Sequence, residues 1–284
     1  MRLAAGDVEL VLTPDCGGGV AAFRWRGIDM MRPAVPGAGV LGMSSFPLVP
    51  FSNRIAHGRF RAGQYEVALP ANLPGADQPH AIHGFGWQAA WDVAAMSADK
   101  AHLAHHHPGG AWPWPYLAEQ HFAAADDGFT HRLALTNRGD TPMPAGLGIH
   151  PYFPRPAGRG AARIDLDIDG RWETDDHCLP TEWRALDTAP DWLGGEAIDH
   201  VFTGRRHAIA LHWPTHVLTM APAADLAFTV VYVPQCEDYF CVEPVSHMTD
   251  AINRTEEDAV TGLRWLAPGE RWETQIVFTV REPG

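Results

Sequence analysis

Arg271-Trp272-Glu273-Thr274-Gln275-Ile276-Val277-Phe278-Thr279-Val280 places Trp272, Thr274, Ile276, Phe278 and Val280 at alternate positions, with Glu273 and Gln275 between them. Successive side chains of a strand point to opposite faces, so this pattern predicts a strand with one face buried and one in water. Val8–Leu12, Ala21–Trp25, Phe129–Thr136, Ala162–Ile168 and Ala227–Val233 read the same way. Arg59-Phe60-Arg61, Ala62-Gly63 and Tyr65–Leu69 form a hairpin pattern, because Gly supplies the positive φ of a tight turn. Pro268-Gly269, just before the last strand, fits a type II turn. The best helical candidate is the short stretch His247–Val260. No internal repeat, low-complexity tract or Ser-rich linker marks a boundary. The expectation is one all-β domain over 1–284, a large antiparallel β-sandwich with few short helices.

Composition narrows the function. The 284 residues carry a formal charge of −13, with 46% hydrophobic and 19% charged residues, a globular balance. Nucleic acids and anionic membranes require clustered positive charge, so neither is an expected partner. A single lysine, Lys100, leaves little room for Schiff-base chemistry. The four Cys (16, 178, 236 and 241) form no CxxC pair and read as free buried thiols of a reducing cytoplasm. Asp7 and Glu9 interrupt any secretory apolar stretch, and the longest uncharged run, Pro33–Asn53, is too rich in Pro and Gly to be a membrane helix. It reads as a long loop, and the protein as cytoplasmic.

Five places carry candidate chemistry. Asn53-Arg54 closes the Pro/Gly-rich loop, where an Arg can offer a planar fork of donors to vicinal hydroxyls or pair with a surface acid. His80-Ala81-Ile82-His83-Gly84-Phe85-Gly86-Trp87 sets two His before a glycine turn. Trp87 or Phe85 could stack on a pyranose while His83 bonds a hydroxyl, or His83 could simply hold the turn. His150, fixed before Pro151 at the end of an apolar strand, suits a general acid or a satisfied core His equally. Asp199 could accept from a sugar hydroxyl or cap a turn. Glu243 ends a very apolar strand, where desolvation raises a carboxyl toward the range of a useful base, against the option of a buried ion pair. His105-His106-His107 reads as a solvated loop, and Trp112-Pro113-Trp114-Pro115-Tyr116 as loop packing. Two His without further ligands do not make a metal site, and no dinucleotide fingerprint, phosphate loop or nucleophile elbow occurs.

Taken in order, Asn53-Arg54-Ile55, His83-Gly84, His150-Pro151-Tyr152-Phe153, Asp199-His200-Val201-Phe202, Glu243-Pro244 and Leu266-Ala267-Pro268-Gly269-Glu270 resemble the aldose 1-epimerase (galactose mutarotase-like) family over nearly the whole chain. The most specific blocks are PFSNRIAHGRF and CVEPVSHMTDAIN. The resemblance implies a galactose mutarotase-like supersandwich with an open sugar cleft, no metal and no organic cofactor. It also implies Glu243 as general base, His150 as general acid, His83 near the ring oxygen, and Arg54 and Asp199 on the sugar hydroxyls; Asn53 and Trp87, from their own places in the chain, are the further candidates for sugar binding. The partner would be a monosaccharide, and the protein a monomer or homodimer. Family members that handle galactose usually have Asn on both sides of the His-x-Tyr-Phe block; Ile149 and Pro154 stand there instead, which points to the short bacterial branch.

The expected reaction is the interconversion of α and β anomers. Glu243 takes the C1 hydroxyl proton as His150 protonates the ring oxygen, and the roles exchange on closure. Three other readings stay open. A glycosidase could use Asp199 and Glu243 as its carboxylate pair. A hexose-6-phosphate mutarotase would need a basic cluster, for which Arg205-Arg206 is the candidate. A non-catalytic carbohydrate-binding protein could share the fold and pocket.

Overall fold

The computed structural model describes residues 1–76, 78–157, 161–254 and 258–284. Arg271–Arg281 is an eleven-residue strand with Trp272, Thr274, Ile276, Phe278 and Val280 buried, as its alternation predicts. It lies inside an eight-stranded sheet in the order Asp92–Met96, Lys100–His107, Tyr116–Ala125, Gly128–Asn137, Arg271–Arg281, His216–Pro222, Ile209–Trp213 and Arg163–Asp165. A second sheet runs Pro180–Ala185, Gly170–Thr174, Ile198–Thr203, Phe228–Val233, Tyr239–Val245, Gly148–Ile149 and Pro47–Leu48, with Tyr152–Pro154 also paired to Tyr239–Val245. All pairings within these sheets are antiparallel. A smaller sheet joins Arg2–Ala5, Val8–Thr13, Gly19–Trp25 and Ile28–Asp29.

The two large sheets meet through their apolar faces. Leu133, Leu135, Ile276 and Phe278 of the first share one buried cluster with Val231, Val233, Phe240 and Val242 of the second. Trp213 of the first sheet stacks on Phe240 of the second, centroids 6.3 Å apart. Each such side chain contributes roughly 1.5–3 kcal/mol on leaving water, so this seam holds the sandwich together. No helix among the described residues is long and apolar enough to cross a membrane.

Several expectations need correction. The Pro33–Asn53 run is not loop throughout: it contains a 3-10 turn at Val40–Gly42, and Pro47–Leu48 joins the second sheet against Gly148–Ile149. His105-His106-His107 is no loop either, because it completes the strand Lys100–His107 opposite Tyr116–Ala118. There His107 stacks on Tyr116, centroids 4.7 Å apart. His247–Val260 forms no continuous helix. Asp250 sits in the left-handed region, a 3-10 turn spans Ala251–Asn253, and only Asp258–Thr261 is α-helical, with 255–257 outside the described residues. Ala162–Ile168 shortens to Arg163–Asp165. Of the four free cysteines only Cys241 is buried. The Trp112–Tyr116 cluster does pack inward, with all three aromatic rings buried.

One buried histidine makes the fold sensitive to acid. His131 lies inside the first sheet, its Nε2 2.9 Å from Gln120 Oε1, while Gln120 Nε2 donates to the Gly18 carbonyl. Burial pushes its pKa down from 6.5 to about 3. Below pH 6.5 the unfolded chain protonates this ring and the folded chain does not, so stability falls with pH until the folded value is reached. The linkage slope is about 1.4 kcal/mol per pH unit for one such group. Urea unfolding between pH 6.5 and 4 is therefore expected to show a slope shallower by about that amount in His131→Gln than in the wild type; equal slopes would contradict it.

Candidate active site

Strand alternation sets the floor of a cleft in the second sheet. In Tyr239–Val245, Phe240 and Val242 point into the inter-sheet core, so Tyr239, Cys241 and Glu243 face the other way. The register places Glu243 opposite Val230, and aligns Asp199, Tyr232, Cys241 and Tyr152 across four neighbouring strands. Directly opposite residues on one face are close neighbours. The resulting cleft, about 280 Å³, is lined by Asn53, Arg54, His83, His150, Asp199 and Glu243, together with Tyr152, Tyr232, Tyr239, Leu41, Leu73, Ile82 and Val230. That volume suits a ligand of monosaccharide size, at the lower end of small-molecule sites.

A reciprocal clamp holds two of these residues. The Asn53 N–H donates to His83 Nδ1 at 3.1 Å, and the His83 N–H donates to the Asn53 carbonyl at 3.0 Å. Both residues have positive φ, 54° and 62°, a strained conformation for side chains with a Cβ. Because a backbone N–H can only donate, His83 Nδ1 must be an acceptor, and in the neutral ring the proton sits on Nε2. Asn53 Oδ1 accepts from the Arg54 backbone N–H at 2.8 Å and from Arg54 Nη1 at 3.2 Å. Arg54 Nη2 reaches Asp199 Oδ2 at 3.4 Å. The loop and the sheet are thus tied across the cleft by one guanidinium.

Glu243 and His150 meet on the buried floor. Glu243 Oε1 lies 3.4 Å from His150 Nε2. Glu243 Oε2 and His150 Nδ1 have no hydrogen-bond partner. The His150 backbone N–H donates to the Phe46 carbonyl at 2.9 Å, and its ring stacks between Tyr152 and Phe46, at 4.7 and 4.8 Å. Burial, reinforced by the negative charge of Asp199, pushes the Glu243 carboxyl well up. Burial pushes His150 down to about 3, with Arg32 adding a smaller effect of the same sign. For His83, burial, His150 and Arg54 all act downward. Burial on the floor of the cleft therefore disfavours the charged forms of Glu243, His150 and His83 alike.

Trp87 is placed differently from the expectation. It is fully buried, stacked on Phe46 at 5.5 Å and edge-on to His83 at 5.8 Å, and its indole N–H donates to the Gly84 carbonyl at 3.1 Å. No face is left for a sugar, so it packs beneath the clamp instead. Phe85 and His80 also stay out of the lining; His80 Nδ1 accepts the His57 N–H at 2.9 Å. The basic pair is elsewhere too. Arg205 donates to the Leu226 carbonyl, and Arg206 pairs with Asp167 and Asp169. Arg54 is the one Lys or Arg among the described residues lining the cleft.

The aromatic wall went unread in the sequence. Tyr239 lies two positions before Cys241 and four before Glu243, so the period of the strand could have revealed it. Arg32 has no such local signal. Its guanidinium covers Tyr152 at 4.0 Å and Tyr239 at 4.6 Å, and donates to the carbonyls of Leu41 and Met43. His150, Cys241 and Glu243 could together offer three donor atoms to a metal, all within 4.8 Å of one another. Burial and Glu243, however, raise the Cys241 thiol well above its ordinary value, which opposes the thiolate a metal would need.

The antiparallel β-sandwich carrying this cleft has the galactose mutarotase-like fold. The family model for aldose 1-epimerase matches residues 2–279, and the chain belongs to that family. Uncharacterized protein YphB of Escherichia coli (strain K12) is 30% identical over 294 residues, spanning 98% of this chain and 97% of that protein. A crystal structure from Escherichia coli K12, described provisionally as an aldose 1-epimerase, superposes with a TM-score of 0.88 at 26% identity, covering 99% of this chain and 98% of that one. A galactose mutarotase-like protein from Clostridium acetobutylicum shares the fold at 20% identity, with a TM-score of 0.86 over 99% of this chain and 95% of that one.

Proposed function

We propose that the protein interconverts the α and β anomers of a free, uncharged aldose, with Glu243 and His150 as its proton-transfer pair. The observation that carries this reading is the 3.4 Å approach of the two groups on a buried floor, each with an unpartnered atom. Ring opening needs one proton removed from the C1 hydroxyl and one delivered to the ring oxygen. In this reading the pair shares a single transferable proton, carried by Glu243 before the sugar binds, because burial disfavours the charged form of both groups. A sugar hydroxyl donating to Glu243 favours its carboxylate form, which moves that proton to His150. The carboxylate then takes the C1 proton as the imidazolium protonates the ring oxygen. Rotation about C1–C2 and closure with the roles exchanged gives the other anomer, and the proton count balances without a covalent intermediate.

His83 has a different part in this scheme. Its Nδ1 is engaged by the Asn53 N–H, so it can only offer an Nε2–H as a hydrogen bond to the ring oxygen or a hydroxyl. His150→Gln is expected to lower the exchange kcat by roughly 10²–10⁴-fold, whereas His83→Asn costs about tenfold at most, the worth of one neutral hydrogen bond. Saturation kinetics of both variants decide between the two histidines; equal losses in kcat would put His83 in the proton path.

The sugar is expected to be neutral. Arg54 is already engaged by Asn53 and Asp199, so a phosphate would meet the carboxyl groups of Asp199 and Glu243 with no second Lys or Arg among the described residues that line the cleft. Anomer exchange by NMR on a panel of free aldoses and their 6-phosphates tests the proposal. Acceleration confined to one or a few neutral sugars is the expected result. Exchange of the phosphates alone, or sugar binding without faster exchange, would overturn it.

A further inference from the structure

The outer face of the first sheet gathers a second set of chemistry-bearing side chains, which shares no residue with the sugar cleft. His102 and His121 stand directly opposite each other in the antiparallel ladder, and Glu119, two positions before His121, stands on the same face opposite Ala104. Opposite residues on one face of such a ladder lie about 4.5–5.5 Å apart at Cβ, with diagonal neighbours within reach of long side chains. The two imidazoles stack with centroids 4.0 Å apart. His102 Nε2 lies 3.1 Å and His121 Nε2 4.0 Å from the same oxygen, Glu119 Oε1. One donor atom from each of the three residues falls within 4.8 Å of the others.

Two further observations bear on what this cluster can hold. Arg271 engages Glu119 through the other oxygen, Oε2, at 3.2 Å, which turns Oε1 toward the imidazoles as outer-shell partners of metal-ligating carboxylates do. The His102 and His121 side chains are 28% and 36% exposed and border a cavity of about 470 Å³, whose rim includes Met96, Lys100 and Arg132. An ion can therefore reach the ring nitrogens, and the side away from the sheet stays open.

We propose that His102, Glu119 and His121 form a binding site for a divalent transition-metal ion of the zinc class, held by the two Nε2 atoms and Glu119 Oε1. Two imidazoles and one carboxylate with a remaining open position are a donor set that suits Zn²⁺, and imidazole also suits Co²⁺, Ni²⁺ and Cu²⁺. Coordination at about 2.0–2.2 Å requires the two stacked rings to splay so that both Nε2 atoms and Glu119 Oε1 converge on one ion. Water, or an anion drawn by Lys100 and Arg132, completes the coordination from the cavity.

Titration of the full-length protein with Co²⁺ at neutral pH is the test, because its visible d–d absorption reports number and type of ligands. The expected result is one equivalent bound with nitrogen/oxygen coordination, displaced by Zn²⁺ and unchanged in Cys241→Ser. His102→Ala and His121→Ala should each weaken binding roughly 10–100-fold or more. Both positions lie on the partly exposed outer face, and unchanged urea midpoints will show that the variants are folded; Glu119→Gln gives an independent loss. Three results overturn the proposal: no spectrum in excess Co²⁺, binding that survives the histidine substitutions, or a thiolate charge-transfer band that vanishes in Cys241→Ser.

Discussion

Glu243→Gln is expected to lower anomer exchange by roughly 10²–10⁴-fold in kcat, the usual worth of a positioned acid/base group, with little change in KM. The amide keeps the size of the side chain and its hydrogen-bonding reach but cannot carry a proton between the C1 hydroxyl and His150. Stability should move the other way. The folded pKa of Glu243 is raised, so its contribution is fully present below the unfolded value of 4.5 and is lost as pH rises through the folded one. Gln has no proton to lose, so the variant is expected to gain in urea midpoint over the wild type as pH increases. Parallel pH–stability curves would show that burial and Asp199 do not act on this carboxyl as argued; unchanged exchange would remove Glu243 from the chemistry.

Gly84→Ala, next to the cleft residue His83, is expected to be among the most damaging substitutions beside the cleft. A Cβ at Gly84 would lie 2.2 Å from the Val49 carbonyl oxygen and 2.5 Å from its carbon, with φ at +72°. Neither atom can yield, because that carbonyl accepts the N–H groups of Phe85 and Gly86 at 3.0 and 3.1 Å. Left-handed backbone alone costs an alanine about 1–2 kcal/mol, and the backbone collision must add to that. A total of about 3–5 kcal/mol is expected, in the range that single substitutions rarely exceed. Gly63→Ala is the control: its φ is +56° but nothing lies within 4 Å of the added carbon. Urea unfolding of the two variants separates strain from collision, and equal losses would exclude the collision. If Gly84→Ala still folds, its exchange activity should fall by up to about tenfold, the loss expected of His83→Asn, since the displaced backbone carries His83 out of the Asn53 clamp.

The strands were legible where burial follows a strict period. Arg271–Arg281 and the hairpin Arg59–Ala62 with Tyr65–Ala68 appear as read, because alternation and a positive-φ glycine are local properties of the chain. The residues of the cleft were legible by type and order: Asn53, Arg54, His83, His150, Asp199 and Glu243 all line it. Trp87 was misplaced because an aromatic beside a glycine turn can face a ligand or the core, and nothing within the turn says which. His105–His107 and Pro47–Leu48 read as loops in the sequence for a related reason. Histidine triplets and prolines carry poor strand signals, yet His105–His107 pairs with the next strand at Tyr116–Ala118, and Pro47–Leu48 with Gly148–Ile149 far along the chain.

What the sequence determined by itself was the all-β architecture and the inventory of titratable and polar side chains that line the cleft, since strand period and side-chain chemistry belong to individual residues. Only the tertiary structure decided how that inventory is wired. The second sheet sets Glu243 and His150 3.4 Å apart and strips both of water, which disfavours the charged form of each. The Asn53 backbone assigns the His83 proton to Nε2. Arg32 seats itself behind Tyr152 and Tyr239, and the first sheet draws His102, Glu119 and His121 together. Desolvation, tautomer and cross-strand proximity depend on which distant segments pack together, and no stretch of chain carries that information alone.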